Sequence, residues 1–135
     1  MKELEIEAKV SNLHKVLEFV DEQLEAIECP IKTQMQIDVS VEEIFVNIAN
    51  YAYGTGEGMA VIVTEFHDDP RFIDITFKDS GVEYNPLAKP DPDITLSAAE
   101  RQIGGLGIYM VKKNMDDVLY EYTDGFNILT LRKSI

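Results

Sequence analysis

The sequence predicts an α/β sandwich of the α+β kind, with helices on one face of a mostly antiparallel sheet. Three observations predict it. Residues 2–10, 59–66 and 72–79 alternate apolar and polar positions, as half-buried strands do. Apolar residues recur at helical spacing through 13–27 and 31–53, and two closing segments flank Asp124-Gly125, a strong hairpin turn signal. The order strand, two helices, two strands, long loop, helix, two strands suits one sheet with helices packed on it.

Each element has its own grounds. "KELEIEAKV" sets charged residues against Leu4, Ile6, Ala8 and Val10. Ser11 reads as the N-cap of the first helix, whose Leu13, Val16, Leu17, Val20, Leu24 and Ile27 share a stripe that stops at Pro30. The second helix is expected over 31–53 and stops at "YGTGEG". "MAVIVTEF" and "FIDITFKD" are strands joined by "HDDPR"; in the latter strand Ile73, Ile75 and Phe77 alternate with Asp74, Thr76 and Lys78. Residues 86–103 carry Pro86, Pro90 and Pro92 and little apolar periodicity, so they read as a mobile loop with a short helix, capped by Ser97 and Glu100. "GGLGIYMVKKNMD" opens the last helix, and "DVLYEYT" and "FNILTLRK" are the closing strands.

A chain of 135 residues with 45% hydrophobic content is expected to form one domain over 1–135. Its formal net charge of -13 argues against nucleic acid as a direct partner, because phosphate backbone is bound through Lys and Arg. The single cysteine, Cys29, has no internal partner for a disulfide, and no charged-then-apolar leader opens the chain. No apolar run approaches the roughly 20 residues of a membrane span, and a cytoplasmic protein is the expectation. His14 and His67 stand apart from each other and from Cys29, which argues against zinc.

Three motifs bear chemistry. In the second helix, Gln36, Ser40, Glu43, Asn47 and Asn50 form one polar stripe, with Ile37, Val41, Ile44 and Ile48 on one side and Met35, Val39 and Val46 on the other. The stripe fits a walled polar site or a plain solvated face. "DSGVEYNP" begins where a buried strand ends: Asp79 offers an acceptor-only carboxylate, and Gly81 removes a Cβ from the path of a flat ligand. The same residues also suit an ordinary strand-to-loop turn. "GGLGIYMV" puts Gly104, Gly105 and Gly107 at a helix start, where unsatisfied N–H groups favour an anion. It matches neither the P-loop nor the dinucleotide fingerprint.

Taken together and in this order, "EEIFVNIANYAY", "DSGVEYNP" and "GGLGIYMVKKNMDD" resemble the N box and the two glycine boxes of the GHKL ATPases, which share the Bergerat fold. The likeness spans 41–117, and the spacing is most similar to that of the bacterial anti-sigma-factor serine/threonine kinases. It implies ATP and Mg2+ as cofactors. Asn47 would give its side-chain oxygen to magnesium, and Glu43, one turn earlier, would be the general base toward the attacking hydroxyl. Asp79 would accept a hydrogen bond from the adenine amino group, with Gly81 beside the base. Gly104, Gly105 and Gly107 would lie against the phosphates, Asn50 near the metal or phosphate, and 86–103 would be the ATP lid.

Two positions depart from the family pattern. Tyr51 stands where many relatives carry His, and Ile103, not Arg, precedes the glycine pair, leaving Arg101 as the candidate for the γ-phosphate. The activity implied is transfer of phosphate from Mg-ATP to a serine or threonine of a small antagonist protein, together with binding of a sigma factor. The alternatives are a partner-switching module that binds ATP without catalysis and the catalytic half of a split histidine kinase. The resemblance also implies a homodimer through the N-terminal strand and first helix, a point on which composition is silent.

Overall fold

The computed structural model describes residues 1–88 and 105–135. Five strands, β1 (Lys2–Glu7), β2 (Met59–Asp68), β3 (Arg71–Asp79), β4 (Asp117–Thr123) and β5 (Phe126–Ser134), form one sheet in the order β1-β2-β3-β5-β4. Every neighbouring pair is antiparallel, so the expected "mostly antiparallel" sheet is wholly so. The register aligns Ile6 with Ala60, Ile62 with Phe77 and Phe77 with Leu129, and Thr64 with Ile75 and Ile75 with Leu131. Because strand side chains alternate, these residues fall on one face.

That face is covered by α1 (Leu13–Ala26), α2 (Ile31–Asn47) and α3 (Gly105–Asn114). Val16, Val20 and Leu24 from α1, Ile37, Val41, Ile44 and Phe45 from α2, and Ile108 and Val111 from α3 join the sheet in one core. Each such side chain stabilises the fold by roughly 1.5–3 kcal/mol when buried in full. α2 touches both α1 and α3, which makes it the element that carries core contacts on one side and the site on the other.

Local chemistry moves several boundaries. Ser11 lies inside a short 3-10 turn, Val10–Asn12, and the N-cap of α1 is Asn12, whose amide donates instead to the Glu7 carbonyl at 2.9 Å. α1 ends with Glu28 in the left-handed region (φ 56) and a Cys29 N–H to Leu24 O bond of 3.0 Å, a helix-terminating arrangement. The second helical segment is α-helical only to Asn47 and continues as a π-turn over Ile48–Ala52. "HDDPR" narrows to a two-residue turn, Asp69-Pro70, because both strands run further than their apolar alternation suggests. Asp124 (φ 53) and Gly125 (φ 82) make the expected tight hairpin. Of the segment 86–103 the described part is a 3-10 turn, Pro86–Ala88; Ser97 and Glu100 lie outside the described residues.

Among the described residues no helix is long and apolar enough to cross a membrane. Between α1 and α2, Asp21 and Asp38 each hold a buried oxygen without a hydrogen-bond partner. Burial, then the adjoining Asp21 carboxyl, pushes the Asp38 carboxyl up to about 8. Cys29 is a free, half-buried thiol, pushed up by burial and by the Asp38 charge.

Candidate functional site

A cleft opens between the C-terminal end of α2, the π-turn and the ends of β3 and β5. Its empty space, open mouth included, is about 490 Å³. Its walls are largely apolar, with Ile44, Ile48, Phe77 and Leu129 among them, and Asp79, Asn127, Asn47 and Tyr120 supply the polar groups.

Asp79 ends β3 on its inward face and is only 6% exposed. Its Oδ1 accepts from the Gly81 N–H at 2.9 Å and from Asn127 Nδ2 at 3.0 Å. Its Oδ2 has no hydrogen bond among the described residues. Unlike the Asp21 and Asp38 oxygens, Oδ2 is not sealed from solvent, so it is an acceptor that a ligand donor entering the cleft can reach. The loop after β3 is clamped to the π-turn by Val82 N–H to Ala52 O at 2.8 Å. Tyr53 reinforces this: its hydroxyl accepts from the Ser80 N–H at 3.0 Å and donates to the Met59 carbonyl.

Gly81 is needed here for a reason the sequence did not suggest. A Cβ at residue 81 would overlap the Ala52 backbone carbonyl and the Ala52 side chain, so the absent side chain admits the π-turn. Gly81 does not itself line the cleft, and what it brings to Asp79 is its N–H.

Across the cleft, α2 presents Glu43 and, one turn later, Asn47. Asn47 lines the cleft; Glu43 is half-buried, its carboxylate set against the first turn of α3. A Cβ at Gly107 would overlap Glu43 Oε2, so that glycine keeps room for the carboxylate. Gly105 opens α3, while Arg101 and Gly104 lie outside the described residues.

The rest of the expected stripe divides. Ser40 is fully buried and turns its hydroxyl back to the Gln36 carbonyl at 3.1 Å, which removes it from the cleft. Asn50 is exposed in the π-turn and does not line the cleft. Of the two apolar walls foreseen beside the stripe, the Ile37 side packs in the core, whereas Met35 (62% exposed) and Val39 (46% exposed) face solvent. The site is thus walled by the sheet and the π-turn in place of the second helix flank.

Asn127, Tyr120 and Tyr84 were not singled out from sequence. Asn127 is 7% exposed, and its Nδ2 also donates to Val82 O at 2.9 Å. Its Oδ1 accepts from the Tyr84 N–H at 3.0 Å and the Tyr120 hydroxyl at 2.6 Å. Burial raises the Tyr120 phenol above its ordinary value, so it stays a proton donor. A signal existed: in β5 the inward positions are Asn127, Leu129 and Leu131, and a lone amide at an inward position marks a buried polar contact.

These residues fit a purine nucleotide. Apolar walls suit a flat base, Asp79 Oδ2 awaits a donor, and Asn47 with Glu43 offers hard oxygens further along α2. No group of three or more His, Cys, Asp or Glu among the described residues could cage a metal. Magnesium held mainly by phosphate oxygens and water is compatible with that, since it needs few protein ligands.

The family model described as "Histidine kinase-like ATPase domain" matches residues 6–133. The serine/threonine-protein kinase BtrW of Bordetella bronchiseptica is 26% identical over 100 residues, 74% of this chain and 70% of that protein. The serine-protein kinase RsbW of Bacillus cereus is 28% identical over 95 residues, 67% of this chain and 58% of that protein. RsbW of Listeria innocua is 24% identical over 97 residues, 69% of this chain and 61% of that protein. The chain therefore spans less than two thirds of the RsbW relatives it matches.

Proposed function

Because the chain belongs to the histidine kinase-like ATPase domain family, we propose that it is an ATP-dependent protein kinase that modifies a serine or threonine of a small antagonist protein and also binds a sigma factor. The observation that carries this reading is the buried Asp79, with one oxygen engaged twice and the other without a donor in an apolar cleft. The names of the relatives, protein kinases at 24–28% identity, support the reaction class.

In this reading the adenine amino group donates to Asp79 Oδ2, and Ile44, Ile48, Phe77 and Leu129 exclude water from the base. Asn47 would give its side-chain oxygen to magnesium, whose charge would offset that of the phosphates. Glu43 takes the proton of the attacking hydroxyl; its place beside the start of α3 keeps that carboxylate near the helix N-terminus, where negative charge is stabilised. Gly105 and Gly107 give the phosphates access to backbone N–H groups. Arg101 and Gly104, with Asn50, complete the proposed contacts to phosphate, and the segment 86–103 is the proposed lid.

The test compares wild type with Glu43→Ala, using γ-labelled Mg-ATP, calorimetric ATP binding, and small antagonist candidates from the source organism. Label on a serine or threonine with wild type, and none with the variant although it still binds ATP, is the expected result. ATP binding without transfer, with partner exchange equal in both proteins, would replace the kinase with a nucleotide-dependent binding module. Absence of ATP binding by wild type would overturn the reading altogether.

A further inference from the structure

Asn127 spends its whole hydrogen-bonding capacity on the neighbourhood of Asp79. Its two amide hydrogens go to Asp79 Oδ1 (3.0 Å) and the Val82 carbonyl (2.9 Å). Its carbonyl oxygen takes the Tyr84 N–H (3.0 Å) and the Tyr120 hydroxyl (2.6 Å). A buried amide with all four bonds made has one orientation, because a flip would set its NH2 against two donors and its oxygen against two acceptors. β5, β4, the end of β3 and the loop over 82–84 are thereby locked at one point.

The consequence falls on Asp79. With the Gly81 N–H and Asn127 Nδ2 both directed at Oδ1, rotation of the carboxylate would break two bonds, one of them to a buried amide. Oδ2 is then the oxygen held for a ligand. From this geometry we infer that Asn127, backed by Tyr120, is the positioning residue for base selection: it aims Asp79 Oδ2 at the exocyclic amino group of adenine and holds the 82–84 loop at the cleft edge. The inference rests on the nucleotide reading above and adds a residue to it. A network that is fully satisfied imposes orientation, whereas a partly satisfied one would let the carboxylate turn and accept other bases.

Asn127→Asp tests it with almost no change of volume. The new carboxylate still accepts from Tyr84 and Tyr120, but it confronts Asp79 Oδ1 and the Val82 carbonyl with an acceptor in place of the amide hydrogens. Binding of Mg-ATP, Mg-GTP and Mg-tripolyphosphate is measured by calorimetry on wild type and variant, with urea denaturation as the check on folding. The expected result is ATP binding weaker by on the order of ten-fold or more, a lower ATP-to-GTP ratio, and tripolyphosphate binding equal to wild type. ATP and tripolyphosphate binding that fall together would overturn the inference, since the residue would then be supporting the whole cleft.

If Asn127→Asp does not fold, Tyr120→Phe deletes one hydroxyl and leaves the ring. It should lower the ATP-to-GTP ratio by about two- to five-fold at unchanged tripolyphosphate affinity, the loss of one bond in the network. An unchanged ratio overturns the inference. Wild type that binds ATP alongside an unaltered Asn127→Asp variant refutes this assignment alone; wild type that binds no ATP refutes the nucleotide reading and the assignment with it.

Discussion

Asp79→Asn isolates one oxygen of the cleft. In wild type, Oδ1 accepts two hydrogen bonds, from Gly81 N–H and Asn127 Nδ2, and Oδ2 faces no donor among the described residues. An asparagine can place its carbonyl oxygen where Oδ1 was and keep both bonds. The reverse orientation would set its NH2 against two donors, so the substitution has one sensible geometry. The fold should therefore survive, while the ligand-facing atom changes from acceptor to donor.

The adenine amino group then meets an NH2. The interaction lost is a hydrogen bond to a charged acceptor, worth roughly 1.5–3 kcal/mol, and a tenfold change in affinity corresponds to about 1.4 kcal/mol, so ATP binding should weaken about 10- to 140-fold. Guanine carries an acceptor at the equivalent position, so GTP should lose less and the ATP-to-GTP ratio should narrow. Calorimetry with both nucleotides, on protein shown by circular dichroism to be folded, reads both quantities. A folded variant that binds ATP within two-fold of wild type would refute the assignment of Asp79 to the base.

Four further outcomes are expected. Gly81→Ala drives a Cβ into the Ala52 backbone, which cannot swing aside, so urea denaturation should show a loss of about 1–3 kcal/mol. Gly107→Ala meets only the mobile end of Glu43, so stability should stay near wild type or gain up to about 1 kcal/mol from helix propensity; ATP affinity and phosphoryl transfer should both fall, as the added Cβ crowds the phosphate approach and displaces the carboxylate. Asp38 carries a raised carboxyl, about 8 in the fold against 3.8 unfolded, so the native state binds the extra proton in that window and stability falls as pH rises from about 4 to about 8. Asp38→Asn should raise the urea midpoint at pH 8 and leave it unchanged near pH 4. Chelating magnesium should weaken ATP binding and leave adenosine binding unaltered, a contrast that calorimetry with EDTA would read.

The elements were legible where one residue pattern decided them. Alternation in β3 and the Asp124-Gly125 turn depend on local backbone geometry, and both appear where the pattern put them. The same holds for Asp79, which leaves a buried strand with a carboxylate. What was not legible depends on contacts distant in sequence. Periodicity alone could not say that the Met35 side of α2 meets solvent, nor that Ser40 would satisfy itself on the Gln36 carbonyl. The purpose of Gly81 could not be read either, because its neighbour Ala52 is brought to it by a π-turn that no propensity marks. Asn127 lies 48 residues beyond Asp79, and β5 pairing with β3 is what brings the two together.

The two halves of the cleft are built to different mechanical standards, and the chemistry proposed for each accounts for the difference. At the base end, Asp79, Asn127, Tyr120, Tyr84 and Val82 are joined by hydrogen bonds that use strands and backbone, so a small set of atoms is held in one arrangement. Selecting one base demands that rigidity, since discrimination is lost as soon as an acceptor can rotate. At the other end, Glu43 and Asn47 stand half-buried on α2 outside that network, and the space beside Glu43 exists because residue 107 has no side chain. As the general base of the proposed reaction, Glu43 would have to approach the hydroxyl that a partner protein presents, and a carboxylate beside a glycine can follow it. Among the described residues no lysine or arginine lines the cleft, and in the proposed reading Arg101, magnesium and backbone N–H groups would meet the phosphate charge.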